Sequence, residues 1–163
     1  MAKRKRSKFG VDQTDAGIKK RSCNDYITGE PIIFDSELEK QYYEEIIIKG
    51  IKDGTILKYK LQQKYKLTPS FKYKDKTIRE ITYVSDFDIW YSDGSFQVVD
   101  TKGRATADAK IKKKLMHLYY GDIDFIWMSY TKIDGWIEYD LLEKARKQRK
   151  KDKVVKNKLK AAK

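Results

Sequence analysis

YVSDFDIWYSDGSFQVVDTKG, residues 83–103, is the stretch on which the fold turns. Aromatic and β-branched residues flank Ser92-Asp93-Gly94, a turn signal. The spacing predicts a β run over Ile78–Tyr91 and an antiparallel partner over Ser95–Thr101. Three charges sit where a strand interior rarely tolerates them: Asp86, Asp100 and Lys102. Residues two apart on a strand share a face, so Asp100 and Lys102 point the same way. The turn lies roughly midway between the two aspartates, and pairing would bring Asp86 alongside. On one reading Asp86 is an edge-strand charge and Asp100–Lys102 a surface ion pair. On the other, Asp86 and Asp100 ligate a metal, and the backbone carbonyl of Thr101 adds a third oxygen. Lys102 then orients water or offsets charge developing on phosphorus, as phosphodiester hydrolysis requires. Asp93 serves the turn, and Asp88 shares the alternation of Asp86 as a spectator. Asp-x-Lys alone decides nothing, because Asp108-Ala109-Lys110 repeats it.

Upstream, FDSELEKQYYEEIIIKGIKDG (34–54) reads as a helix. Asp35 or Ser36 caps it, Glu37 and Glu39 stand in the first turn, and Leu38, Tyr42, Ile46 and Ile47 mark one apolar face. From Thr55 to Tyr73 apolar residues alternate with Lys or Gln, which is strand-like. Downstream, ADAKIKKKLMHLYYG (107–121) predicts an amphipathic helix with Ile111, Leu115 and Leu118 on one side and a lysine cluster on the other. DFIWMSY (124–130) fits a buried strand, and GWIEYDLL (135–142) a strand running into helix. This order predicts an α/β fold, with a central mixed β-sheet flanked by helices. Residues 1–30 read as a basic flexible arm, 31–142 as the domain, and 143–163 as a basic helical tail with almost no apolar face.

Charge divides the chain the same way. The formal net charge of the 163 residues is +13, of which residues 1–22 carry +6 and residues 144–163 carry +10, leaving the body at −3. A mildly acidic body with two basic ends points to a polyanionic partner, nucleic acid above all. One cysteine, Cys23, excludes an intrachain disulfide, and with one histidine, His117, it excludes an ordinary Cys/His zinc site. A metal here would be held by carboxylates, which favours Mg2+ or Mn2+. No apolar run is long enough to span a membrane and the N-terminus lacks an apolar signal core, so the expectation is a cytoplasmic protein with no membrane partner.

The order FDSELEKQYY, YVSDF, GSFQVVDTKG and KIKKKL, covering Ile33 to Leu118, resembles the PD-(D/E)XK nuclease superfamily, and within it a family of small phage-encoded nucleases. The resemblance implies a restriction-endonuclease-like core and Mg2+-dependent DNA cleavage in the host cytoplasm. It makes Glu39 the helix acid, Asp86 the central aspartate, Asp100 the second acid and Lys102 the lysine. The metal set would be Asp86, Asp100, Thr101 and Glu39. Four-residue sites of this kind are similar to that of the phage Holliday-junction resolvase of the endonuclease I type. Junction resolution would need two sites, hence a homodimer. Ser85 stands where the motif has proline. Glu37 competes with Glu39, and Tyr42 and Tyr43 following Glu39 as in the family favour Glu39.

Lys110, Lys112, Lys113 and Lys114 are candidates for phosphate contacts, with a solvated helix face as the plain alternative. His117 reads as structural or exposed, Glu80 as an ion-pair partner, and Trp90, Trp127 and Trp136 as packing residues. A non-catalytic DNA-binding accessory protein accounts for the basic ends equally well. A ribosome-associated RNA binder accounts for the ends but leaves the ordered acids unexplained.

Overall fold

The computed structural model describes residues 12–161. In chain order it runs α1 (Asp15–Lys20), β1 (Ser22–Asn24), β2 (Pro31–Ile33), α2 (Glu37–Tyr42), a π-helical turn (Tyr43–Ile47), α3 (Ile48–Asp53) and β3 (Ile56–Leu61). There follow β4 (Lys64–Thr68), β5 (Phe71–Tyr73), β6 (Lys76–Ile78), β7 (Ile81–Val84), β8 (Phe87–Tyr91) and β9 (Phe96–Thr101). The chain closes with α4 (Ala107–Tyr119), β10 (Asp124–Thr131), β11 (Gly135–Glu138) and α5 (Tyr139–Ala161). The central sheet has five strands in the order β11-β10-β9-β8-β3. Only β9 and β10 are parallel, joined by the crossover helix α4; the other three pairings are antiparallel. Among the described residues no helix is long and apolar enough to cross a membrane.

The β8–β9 hairpin forms as the turn signal dictates. Gly94 adopts φ +87°, which glycine takes at little cost, and Phe87 stands opposite Val99. Each face of the sheet buries its own core. Phe87, Ile89 and Val99 pack with Phe34, Tyr42, Tyr43 and Ile47 under the α2–α3 helix. On the opposite face Val98, Phe125 and Trp127 pack with Tyr83, Met116 and Tyr139 under α4 and α5. The helix predicted from Ser36 onward is present, but it widens into a π-helical turn at Tyr43–Ile47. Both Tyr42 and Tyr43 are thereby buried, while Leu38 is only half-buried.

Two expectations need correction. Residues 12–30, read as part of a flexible arm, are organised around a buried cation. The Arg21 guanidinium donates to the carbonyls of Phe34 and Asp12, and β1 pairs antiparallel with β2. The hairpin loop is fixed by Asp25, which accepts from the Tyr59 hydroxyl at 2.6 Å and from two backbone N–H groups. The basic segment before residue 12 lies outside the described residues. On α4, Ile111 and Leu118 are 59% and 69% exposed, so they are not the buried face. That face carries Ala109, Leu115 and Met116 together with half-buried Lys112 and Lys113, whose alkyl stems cover apolar surface. The strand-like Thr55–Tyr73 run forms three strands, separated at Gln62-Gln63 and at Pro69-Ser70. The basic tail is helical and continuous with α5 from Tyr139 onward.

Candidate functional site

The β8–β9 register places Asp86 one step beyond the Phe87–Val99 pair, level with the end of β9. There Asp86 Oδ2 accepts both the backbone N–H of Thr101 at 2.6 Å and its hydroxyl at 2.9 Å. Asp86 sits in the short break where the chain leaves β7, paired with β4, and enters β8. Its carbonyl accepts from Gln62 N–H, and the preceding Ser85 is fully buried with its hydroxyl donating to Asp88. Asp100, 2% exposed, pairs with the Lys102 ammonium, as their shared strand face predicts. The backbone of Lys102 is pinned on both sides by β10: its N–H donates to the Met128 carbonyl at 2.7 Å, and its carbonyl accepts from the Ser129 hydroxyl. Lys102 also stands 5.6 Å from the centre of the Trp127 ring.

Glu39 comes from the other core. It is the third residue after the cap Ser36, and the two form a reciprocal capping arrangement. Ser36 Oγ accepts from Glu39 N–H at 3.1 Å, while the Glu39 carboxylate accepts from the Ser36 hydroxyl and from the Asp35 N–H. A carboxylate has about four lone-pair sites, so two accepted bonds leave it capacity for another partner. Glu39 is 8% exposed whereas Glu37 is exposed, so only Glu39 faces inward. Glu39 and Asp86 line one small cavity of about 70 Å3 with Phe34, Leu61 and Gln62.

The electrostatics bind these acids together. Burial pushes the Asp86 carboxyl well above its ordinary range, and the Asp100 and Glu39 carboxylates raise it further against the pull of Lys102 and the Thr101 N–H. Burial also raises Glu39 and Asp100, the latter despite Lys102 and the neighbouring Tyr83 hydroxyl. Among the described residues, Lys102 is the cation that acts on Asp86 and Asp100, against the three acids. That donor set, all carboxylate oxygen with an excess of negative charge, fits a hard divalent cation. Each acid already has a protein partner: Thr101 for Asp86, Lys102 for Asp100, and Ser36 with Asp35 for Glu39. Among the described residues no three Asp, Glu, His or Cys groups stand together at metal-ligating geometry. Thr101 enters the site through its N–H and hydroxyl, which both hold Asp86.

The four lysines of α4 divide. Lys112 Nζ donates to the Thr82 carbonyl at 2.8 Å and Lys113 Nζ to Asp140 Oδ2 at 2.7 Å, so these two brace the helix against β7 and α5. Lys110 and Lys114 are exposed. They line a groove of about 490 Å3 between α4 and α5, with Lys144 and Lys147 on its far wall and Trp127 at its floor. Lys102 and Lys113 both stand close to the Trp127 ring, at 5.6 and 4.8 Å from its centre, so the groove adjoins the acid cluster. The α5 lysines were legible only as tail charge. Exposed His117 lines this groove and stacks near Phe125, while Glu80 pairs with Lys66. Asp88, buried, is satisfied by the Tyr65 and Ser85 hydroxyls and stands apart from the cluster.

A family model described as a protein of unknown function (DUF1064) matches residues 19–134, a span that contains Glu39, Asp86, Asp100 and Lys102. No curated protein and no solved structure matches the chain.

Proposed function

Because the chain belongs to the DUF1064 family, whose description names no chemistry, we propose its function from the site: a metal-dependent endonuclease that hydrolyses phosphodiester bonds in DNA, on a PD-(D/E)XK core. The observation that carries this reading is the convergence of Asp86, Asp100 and Glu39, three acids from separate elements, on one end of the β8–β9 hairpin beside Lys102. A protein gains no stability from gathering buried carboxylates that raise one another's pKa. Such an arrangement is a cost that function explains. The order helix, three antiparallel strands, crossover helix and parallel strand also supports the core that the sequence resembles.

Asp86, Asp100 and Glu39, with Thr101, would hold Mg2+ or Mn2+. When bound, the cation polarises the phosphate and lowers the pKa of the attacking water. The chain's own groups do the rest. Thr101 fixes the Asp86 carboxylate through two hydrogen bonds, leaving its other oxygen free to ligate. Lys102, 24% exposed at its side chain, presents an ammonium from the cluster toward solvent, where it stabilises charge developing on phosphorus. The α4–α5 groove leads a strand of phosphates away from the cut, with Lys110, Lys114, Lys144 and Lys147 as contacts.

The test is a panel of end-labelled linear duplex, single strand, flap and four-way junction, incubated with Mg2+ and with Asp100→Ala protein as control. Metal-dependent cleavage of at least one form by the unmodified protein alone supports the reading. Paired cuts across a junction would call for two copies of the chain. DNA binding with no cleavage of any form leaves the accessory-protein function in its place.

A further inference from the structure

Rooted at Asp86 is a projection that the acid cluster does not use. β4 and β7 pair, and beyond a register shift between Lys66 and Thr68 they continue into the β5–β6 hairpin. Every residue from Pro69 to Ile81 is exposed. The registers Phe71–Ile78 and Tyr73–Lys76 put these four side chains on one face, with Lys72 and Thr77 on the other. Phe71 and Tyr73 are 52% and 60% exposed, and none of Phe71, Tyr73 and Ile78 belongs to either core. A two-stranded hairpin is marginal in water unless something covers it. The projection is also basic: residues 64–84 hold six Lys or Arg against Asp75 and Glu80. Lys74 Nζ stands 5.6 Å from the centre of the Tyr73 ring, so positive charge adjoins the aromatic face directly.

We propose that the Phe71–Tyr73 face of this arm stacks on unpaired bases of a single-stranded DNA segment next to the cleaved strand, with Lys76, Arg79 and Lys74 on its phosphates. Charge selects a polyanion, and the two rings select among polyanions. Every base offers a π-face when unpaired, whereas a closed duplex offers none along its length. Asp86 is eight residue steps beyond Ile78, at most roughly 28 Å of extended chain, so the arm reaches bases near the acid cluster. The inference rests on the endonuclease reading for what lies at Asp86, and narrows the substrate to DNA carrying an unpaired segment.

The test measures binding alone, without metal. Full-length Asp100→Ala protein and the same protein with Phe71→Ala and Tyr73→Ala are titrated against a labelled duplex with a single-stranded tail of about ten nucleotides and against the same duplex blunt. The expected result is binding at least about tenfold weaker on tailed DNA and changed by less than about twofold on blunt DNA. The ring-preserving pair Phe71→Tyr and Tyr73→Phe should retain tailed binding. Equal weakening on both duplexes, or none on either, overturns the proposal. So does a lowered thermal midpoint in the alanine pair, which would make the rings packing residues. If the parent protein binds no DNA, the endonuclease reading itself falls and takes the arm's role with it.

Discussion

Replacing Asp86 with asparagine should make the metal-free protein more stable, and the gain should depend on pH. Asparagine keeps an oxygen to accept from the Thr101 N–H and hydroxyl, so the two hydrogen bonds of Asp86 survive. What disappears is the charge. Burial holds the Asp86 carboxyl well above its ordinary range, reinforced by Asp100 and Glu39 and only partly offset by Lys102. A carboxyl with a raised folded-state pKa binds its proton more tightly when folded. Its contribution is therefore most favourable below the unfolded value, about 3.9, and is lost as pH rises through the folded one. Two carboxylates against one ammonium leave a single net repulsion. That is worth about 2–4 kcal/mol for unit charges at 4–8 Å and an effective dielectric near 20. Half-burial of Asp86 lets solvent screen it, which reduces the gain to about 1–2 kcal/mol. For a chain of this size that is a rise of roughly 3–6 °C in thermal midpoint. Circular dichroism melts in EDTA at pH 8 and pH 5 measure it. The gain should be larger at pH 8 than at pH 5, because a carboxyl with a raised pKa carries more of its unfavourable charge at the higher pH. No gain at pH 8, or an equal gain at both, would refute the electrostatic account of the cluster.

Arg21→Met should cost about 1–3 kcal/mol of stability, read as a lowered urea midpoint, because the buried Phe34 carbonyl loses its charged donor. Gly50→Ala should fold but lose about 1–3 kcal/mol in the same assay. A Cβ there would come within 2.5 Å of Ile56 Cδ1 and 3.2 Å of Ile56 Cβ, and the isoleucine must shift. Among the described residues, Arg149 is the last in α5 whose side chain bonds to the body, at Asp134. Truncation after Arg149 should leave the thermal midpoint within about 2 °C while weakening DNA binding and flattening its dependence on salt.

The hairpin that carries the candidate site was readable in the sequence because its turn chemistry fixes its register. Once Ser92-Asp93-Gly94 is a turn, Asp86 must fall opposite the end of β9. The pairing of Asp100 with Lys102 follows from the two-residue period alone. Glu39 was found by resemblance, yet the sequence held an independent signal in Ser36-Glu37-Leu38-Glu39, a capping box that turns the acid back toward the helix start. Other features answered to tertiary forces that no local pattern carries. A regular 3.6-residue period cannot anticipate the π-helical turn that buries Tyr43 beside Tyr42. Arg21 read as arm charge, and Lys112 and Lys113 as candidate phosphate contacts, but each finds an acceptor distant in sequence: Phe34, Thr82 and Asp140. The projecting arm was hidden in a continuous alternation of apolar and polar residues, since exposed and half-buried strands share that period.

The central claim, that the Asp86–Asp100–Lys102 cluster cuts DNA, is tested most directly by nicking of supercoiled plasmid with purified protein, in EDTA and then in Mg2+ or Mn2+. The account predicts no nicking in EDTA and nicking on addition of either metal. It also predicts loss of that activity in Asp86→Ala, Asp100→Ala and Lys102→Ala proteins that still bind the plasmid. Nicking that persists in all three variants would contradict it.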